Sequence, residues 1–103
     1  MQVIVDFTLV PVGAGVSLSA YIAEVERVLG RSGLYHEMHA NGTDLEGEWD
    51  AVMAAIRACH EAVHAMGAPR IHTSINLGTR SDRDQRMADK LASVRDKLSH
   101  VKE

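Results

Sequence analysis

The chain has 103 residues, of which 46% are hydrophobic and only 4% aromatic, and its formal net charge is -3. This length fits one domain over residues 1–103, with a core built from aliphatic side chains and Met. The negative charge disfavours a nucleic-acid partner, and the scarcity of aromatic residues disfavours base stacking. Because no apolar run approaches the roughly 20 residues that cross a bilayer, we expect a cytoplasmic protein with no membrane partner.

The first third of the chain predicts a strand followed by a helix. Side chains alternate over residues 3–10 with the period of a β-strand that has one strongly apolar face. Pro11 and the glycines after it interrupt this alternation and predict a turn. The helix should begin with Ser17 or Ser19 as its N-cap, and Gly30 and Gly33 should bracket its end. Its apolar stripe comprises Leu18, Ile22, Val25 and Leu29.

The middle of the chain predicts a hairpin, a second helix and a fourth strand. Residues 34–39 and 43–48 are predicted strands joined by an Asn41-Gly42 turn. The helix should run from about residue 50 to residue 66, and the last strand over residues 70–77. This order predicts an α+β, ferredoxin-like βαββαβ fold with a four-stranded antiparallel sheet. Both helices should cover the same face of that sheet.

The uncovered face of the predicted sheet is polar but weakly charged. The side chains expected there include Asp6, Thr8, Ser74 and Asn76. A face of this kind is more natural for a surface that meets a partner or a ligand than for one that faces only water.

A further helix is predicted over about residues 81–101, beyond the complete βαββαβ pattern. Ser81 and Asp84 have the spacing of a capping box. A narrow heptad-like stripe then comprises Met87, Leu91, Val94, Leu98 and Val101. Since the fold is complete without this helix, we favour a subunit contact over packing on its own domain.

Two sequence features suggest chemistry but have simpler interpretations. His60, Glu61 and His64 match the H-E-x-x-H pattern of zinc peptidases, yet no third ligand extends the motif. We expect these histidines to flank a buried helix stripe, with no metal and no cofactor. The one cysteine, Cys59, lies on that stripe and should be a buried structural thiol, because no basic residue or helix start lies beside it.

Residues 41–50 combine a turn, a short strand and a helix start with polar side chains that could face a small ligand. Thr43 should lie at the start of the third strand. Glu46 and Glu48 alternate onto one side of that strand, where they could act as an acid and a base or could meet a cationic ligand. No nucleophile can be paired with a base, so the residues do not support an enzyme.

Several segments together resemble the small thiamine-binding protein family, formerly catalogued as an uncharacterised family and related to YkoF-like proteins. The resemblance spans nearly the whole chain, although each piece is short. The matching segments are Val10-Pro11-Val12-Gly13, Ser17-Leu18-Ser19-Ala20-Tyr21-Ile22-Ala23, Gly42-Thr43-Asp44-Leu45-Glu46-Gly47-Glu48, His60-Glu61-Ala62-Val63, Arg70-Ile71-His72-Thr73-Ser74-Ile75-Asn76, Gly78-Thr79-Arg80-Ser81-Asp82-Arg83 and Asp89-Lys90-Leu91-Ala92-Ser93-Val94. Relatives tend to carry Lys where Asn76 stands.

The resemblance implies a ferredoxin-like fold that assembles into dimers and tetramers and binds thiamine or its hydroxymethylpyrimidine moiety without catalysis. Such a ligand needs hydrogen-bond partners for an aminopyrimidine and a surface that tolerates a cationic thiazolium. The residues expected to bind it are Ser17, Ser19, Tyr35, Asn41, Thr43 and Glu46. Ser19 and Thr43 are the first choices among them.

Two other functions stay open at the level of sequence. One is a zinc metallohydrolase that uses His60, Glu61 and His64. The other is a purely structural or regulatory oligomer, in which the open face of the sheet serves only as a subunit interface.

Overall fold

Four strands and three helices make up the fold in a computed structural model that describes residues 1–15 and 17–100. The elements are β1 Gln2–Val12, α1 Ser19–Ser32, β2 Tyr35–His39, β3 Gly42–Glu48, α2 Trp49–Ala65, β4 Arg70–Thr79 and α3 Met87–Ser99. The strands lie in the order β2-β3-β1-β4, and every neighbouring pair is antiparallel. The predicted ferredoxin-like fold is therefore confirmed, with an extra C-terminal helix.

The core lies between one face of the sheet and the helices α1 and α2. The buried side chains of β1 are Val3, Val5, Phe7 and Leu9. They belong to one apolar cluster with Val25 and Leu29 of α1 and with Val52 and Val63 of α2. Cys59 of α2 is fully buried in this cluster, and burial raises the pKa of its thiol to about 11. Cys59 is thus the inert core residue that the sequence predicted.

Strand β1 continues through Pro11 to Val12, so the predicted break at Pro11 is wrong. Pairing of β1 with β3 ends at Phe7, whereas pairing with β4 continues to Val12. The second half of β1 therefore has a strand on one side only, and there a proline without an N–H is tolerated.

Helix α1 begins without the serine cap that the sequence predicted. Leu18, not Ser17 or Ser19, occupies the N-cap position, and its carbonyl accepts the first helical hydrogen bonds, from Tyr21 and Ile22. The side chain of Leu18 lines an apolar cleft between α1 and the sheet. Partial burial of this side chain offers a physical reason for the position of the helix start. Of the two glycines predicted to bracket the helix end, Gly30 lies inside the helix and Gly33 is the left-handed C-cap, with φ 76°.

Helix α3 begins at Met87, six residues after the predicted start at Ser81. The guanidinium of Arg80 donates to both carboxylate oxygens of Asp82 and to Oε1 of Gln85, which stabilises a non-helical turn over those residues. The capping carboxylate is that of Asp89, which accepts the N–H of Arg86. The predicted end of this helix, near residue 101, lies outside the described residues.

The face of the sheet opposite α1 and α2 carries the polar residues predicted for it. Register pairs place Asp6 beside Asn76 and Thr8 beside Ser74 on this open face. The first residue of α3, Met87, is buried against it, and its N–H donates to the buried carboxylate of Glu46. In residues 1–15 and 17–100, no helix has the length and apolarity that a membrane span requires.

Candidate functional site

A cleft of about 280 Å³ lies between α1, the β2–β3 hairpin and the part of β1 that extends beyond its pairing with β3. This volume is near the lower end of the range for small-molecule sites. Its apolar lining comprises Phe7, Leu9, Val10, Leu18, Ile22, Val25 and Met38. Its polar residues are Thr8, Glu26, His39, Asn41 and Thr43. A mainly apolar cleft with a few polar groups is a typical arrangement for holding and orienting a small organic molecule.

The central polar feature of the cleft is a hydrogen bond between a strand and a helix. The hydroxyl of Thr43 donates to Oε2 of Glu26 over 2.8 Å, and Thr43 is only 4% exposed. This bond uses one position on the carboxylate, which has about four acceptor positions. Glu26 can therefore accept further hydrogen bonds from a ligand or can pair with a cation.

Glu26, like Thr8 and His39, lines this cleft but was not among the predicted ligand-binding residues. It follows Ile22 by four residues and so lies at the margin of the apolar stripe of α1. The sequence signal that could have identified Glu26 was an acidic residue at the margin of this apolar stripe. Its partner, however, lies 17 residues further along the chain, and only the fold brings the two together.

The hairpin wall of the cleft is held close to β1. The hydroxyl of Thr8 donates to the carbonyl of Asn41 over 2.7 Å. A Cβ atom at Gly42 would lie only 2.5 Å from the carbonyl oxygen of Phe7. Glycine is therefore needed at the turn because the backbone of β1 passes too close for any side chain.

The structure separates the six predicted ligand-binding residues into two groups. Asn41 and Thr43 line the cleft, and the exposed Ser17 and Ser19 flank Leu18 at its edge. Tyr35 and Glu46 are register partners on the opposite face of the sheet. The hydroxyl of Tyr35 donates to Glu37, which raises the pKa of the phenol.

Glu46 has a defined contact on that open face. Its side chain is 6% exposed, and its Oε2 accepts the N–H of Met87 at the start of α3 over 2.8 Å. A carboxylate is favourable at this position because the N-terminus of a helix carries unpaired N–H groups and a partial positive charge. Glu46 thus anchors α3 to the sheet.

One group in the described part of the chain, Asp6, His39 and Asp44, has side chains close enough to share a metal ion. Nε2 of His39 lies 3.0 Å from Asp6 and 3.4 Å from Asp44. The backbone N–H of Asn41 donates to Nδ1 of His39, so the neutral ring carries its proton on Nε2. Nε2 then donates to the carboxylates, and its lone pair is unavailable to a metal. The group is best described as a hydrogen-bonded network.

The H-E-x-x-H segment lies on the side of α2 that faces β4, and both of its imidazoles have local partners. Nε2 of His60 lies 2.6 Å from the hydroxyl of Thr73, and Nδ1 of His64 donates to the carbonyl of Ala68 over 2.8 Å. The two ring centroids are 6.4 Å apart. Burial and the neighbouring His64 lower the pKa of His60. Shared zinc coordination would require the bond between His60 and Thr73 to break.

A second cleft, of about 260 Å³, lies where the end of β4 meets the segment before α3. Its charged lining is mainly basic and comprises Arg80, Arg83 and Lys90, with Asp84 as the one acid. A basic lining suits an anion, whereas the cleft that contains Glu26 suits a neutral or cationic ligand.

The fold and the Glu26 cleft together define a small α+β protein with a ferredoxin-like sheet and a cleft of ligand size beneath its hairpin. The chain belongs to the family described as thiamine-binding protein, whose sequence model matches residues 5–95. The resemblance found in the sequence is thus confirmed.

Relatives agree with this assignment, and solved structures share the fold. A UPF0045 protein of Synechocystis sp. is 57% identical over 94 residues, which cover 91% of this chain and 78% of the relative. A UPF0045 protein of Eremothecium gossypii is 42% identical, with 96% and 95% of the two chains covered. A hypothetical protein of Methanocaldococcus jannaschii has a solved structure with a TM-score of 0.82, 28% identity and coverage of 90% and 95%. A putative thiamine biosynthesis/salvage protein of Thermotoga maritima, 17% identical, shares the fold with a TM-score of 0.79 and coverage of 91% and 99%.

Proposed function

We propose that this protein is a non-catalytic, oligomeric binding protein for thiamine or its hydroxymethylpyrimidine moiety, and that the ligand occupies the cleft between α1 and the hairpin. The observation that carries the proposal is the bond between Glu26 and Thr43 in a cleft whose lining is mainly apolar. Membership of the thiamine-binding family supports the class of ligand.

The polar groups of the cleft complement an aminopyrimidine. That ring carries an exocyclic amine, which donates hydrogen bonds, and ring nitrogens, which accept them. The carboxylate of Glu26 can accept from the amine, and the side-chain amide of Asn41 can donate to a ring nitrogen. The apolar side chains can contact the two faces of the ring. A cationic thiazolium is favoured by the same carboxylate, so the complete vitamin should bind more tightly than its pyrimidine half.

Four of the predicted residues enter this proposal as ligand contacts. Asn41 and Thr43 line the cleft, and Ser17 and Ser19 are proposed to approach the ligand at its edge. Tyr35 and Glu46 belong to the other face of the sheet, so a ligand held in this cleft does not contact them. We propose instead that Tyr35 belongs to the open face of the sheet and that Glu46 anchors α3.

The other two candidate functions differ in their support. An exposed apolar stripe on α3, with Leu91, Val94 and Leu98 at least 45% exposed, favours an oligomer. A structural role as an oligomer is therefore compatible with ligand binding and does not replace it. The contacts of His60 and His64 with Thr73 and Ala68 give no specific support to a zinc hydrolase.

Calorimetric titration with thiamine, hydroxymethylpyrimidine and hydroxyethylthiazole tests the proposal, because the three ligands separate the two halves of the vitamin. We expect thiamine and the pyrimidine to bind and the thiazole alone to bind weakly or not at all. Glu26→Gln should weaken thiamine binding by about 10- to 100-fold, since it removes the charge and keeps the shape. Glu24→Gln, in the same helix and paired with Arg27 outside the cleft, is the matched control.

Two results would contradict the proposal. The first is the absence of heat and of any thermal stabilisation by thiamine at millimolar concentration. A ligand present at 100 times its Kd should stabilise the fold by about 2.7 kcal/mol, which raises the Tm of a chain of this size by roughly 10 °C or more. The second is equal thiamine affinity in wild type and Glu26→Gln.

A further inference from the structure

The last part of β1 has a neighbouring strand on one side only. Pairing of β1 with β3 ends where Phe7 lies opposite Thr43, whereas pairing with β4 continues to Val12. Backbone N–H and C=O groups are strong hydrogen-bonding groups, and a strand edge presents those that no neighbouring strand uses. Residues 8–12 therefore form a free edge of β1 on the side of the hairpin.

Two observations identify the backbone groups that point to this free edge. A Cβ atom at Gly42 would lie 2.5 Å from the carbonyl oxygen of Phe7, so that carbonyl points towards the hairpin. Pro11 has no N–H and is tolerated where its nitrogen faces away from a partner strand. In an antiparallel sheet, the N–H and C=O of one residue point to the same side, and this side alternates along the strand. Since Leu9 lies midway between Phe7 and Pro11, its N–H and C=O both point to the free edge.

The Glu26 cleft runs along this edge of the backbone. Its lining includes four consecutive residues of β1, from Phe7 to Val10. Successive side chains of a strand point to opposite faces of the sheet, so a lining of this kind places the cleft beside the backbone itself. Within residues 1–15 and 17–100, no strand pairing, turn or loop hydrogen bond uses the N–H or C=O of Leu9 on this side. Both groups are therefore available to a ligand in the cleft.

The N–H and C=O of a single residue offer a ligand one donor beside one acceptor. An aminopyrimidine carries the complementary pair, since its amine donates and the ring nitrogen beside the amine accepts. An oxopyrimidine carries the opposite pair, because its carbonyl accepts and the ring N–H beside it donates. Against Leu9, an oxopyrimidine would place donor against donor and acceptor against acceptor. The two backbone groups thus distinguish these two classes of ring.

Recognition by Leu9 is compatible with the contacts already proposed for the cleft. The amine has two hydrogens, so one is left for the carboxylate of Glu26. The ring has a second nitrogen, which is left for the side-chain amide of Asn41. The backbone of β1 is fixed by its pairing with β4, whereas a glutamate side chain must lose rotational freedom when it binds. The backbone of Leu9 is therefore the better group for fixing the orientation of the ring.

We propose that the N–H of Leu9 donates to the ring nitrogen beside the amine and that its C=O accepts from the amine, so that the cleft selects aminopyrimidines and rejects oxopyrimidines. The inference rests on the proposed function, because it requires a pyrimidine in this cleft. It adds the residue that determines specificity, a role that belongs to the backbone and not to a side chain.

Hydrogen exchange of the Leu9 amide tests the free edge before any ligand is added. Val5 is the matched comparison, because it is buried in the same strand and has register partners in both β3 and β4. In the ligand-free protein, we expect the Leu9 amide to exchange at least about 100-fold faster than the Val5 amide. Saturation with thiamine should slow exchange at Leu9 by about 10-fold or more, since the amide then has an acceptor.

Three ligands test specificity by calorimetry. Oxythiamine carries a carbonyl in place of the amine of thiamine, whereas pyrithiamine keeps the aminopyrimidine and replaces the thiazolium with a pyridinium. We expect pyrithiamine to bind within about threefold of thiamine, because the contacts with Leu9 are retained. Oxythiamine should bind about 100-fold more weakly or worse, because both hydrogen bonds are lost.

The variant Glu26→Gln separates the backbone from the carboxylate, which also faces the amine in the proposed complex. The groups of Leu9 are unchanged in this variant. Oxythiamine should therefore still bind at least about 10-fold more weakly than thiamine when both are titrated into Glu26→Gln and followed by NMR. Loss of this discrimination would assign recognition of the amine to Glu26 alone and would overturn the inference.

The remaining outcomes distinguish the inference from the proposed function. A Leu9 amide that is as protected as Val5 in the ligand-free protein overturns the inference alone, because the edge is then not free. Thiamine that binds without slowing exchange at Leu9, or oxythiamine that binds as tightly as thiamine, also overturns the inference alone. If neither thiamine nor pyrithiamine binds, the proposed function fails, and the inference fails with it.

Discussion

Removal of the carboxylate of Glu46 should detach α3 from the sheet. This side chain is 6% exposed and accepts the N–H of Met87 over 2.8 Å, so Glu46→Ala leaves a buried N–H without its partner. A hydrogen bond to a charged group contributes about 1.5–3 kcal/mol, and the favourable position at a helix N-terminus adds about 0.3–1 kcal/mol. We therefore expect the free energy of unfolding to fall by about 2–3 kcal/mol. Glu46→Gln retains an acceptor and should lose about 1 kcal/mol.

Urea denaturation at one fixed chain concentration measures this loss, because any oligomer makes stability depend on concentration. Hydrogen exchange of the Met87 amide provides a local measurement and should accelerate in Glu46→Ala. The control is Glu48→Ala, two residues further along β3, whose side chain is 52% exposed. It should change stability by less than about 0.5 kcal/mol. If Glu46→Ala is as stable as the control and the Met87 amide exchanges at the wild-type rate, the anchoring role is refuted.

Three further predictions concern other parts of the molecule. Gly42→Ala should lower the free energy of unfolding by about 2 kcal/mol or more in urea denaturation, because the alanine Cβ would lie 2.5 Å from the carbonyl oxygen of Phe7. Unchanged stability would contradict this prediction. Burial raises the pKa of the Cys59 thiol to about 11. The thiol should therefore react with iodoacetamide at pH 8 at least about 100-fold more slowly in the native protein than in denaturant. Equal rates would show that the thiol is accessible. Metal analysis should find no stoichiometric zinc, whereas one zinc per chain that disappears in His64→Ala would revive the hydrolase.

The sequence predicts the strands well because the covered face of the sheet imposes a strict alternation. Residues Val3 to Leu9 alternate between buried and partly exposed positions, so period alone identifies β1. The ends of elements depend on interactions that the pattern does not contain. β1 passes Pro11 because β3 has already ended beside it. The start of α3 moves from Ser81 because the preceding segment is held by the guanidinium of Arg80.

The candidate site was only partly predictable, for two physical reasons. Thr43 and Glu46 are three residues apart in one strand, so the two-residue period places them on opposite faces. The sequence could therefore have shown that Glu46, with its register partner Tyr35, lies on the face away from Thr43 and the cleft. Glu26 could not be paired with Thr43 from sequence, because their contact depends on how α1 packs over the sheet.

The most direct test of ligand binding in the Glu26 cleft is an NMR titration of the labelled protein with thiamine. The account predicts saturable shifts of the backbone signals of Glu26, Asn41 and Thr43. Signals of Tyr35 and Glu46, on the other face of the sheet, should change much less. An absence of shifts at millimolar thiamine, or shifts confined to the open face, would contradict the account.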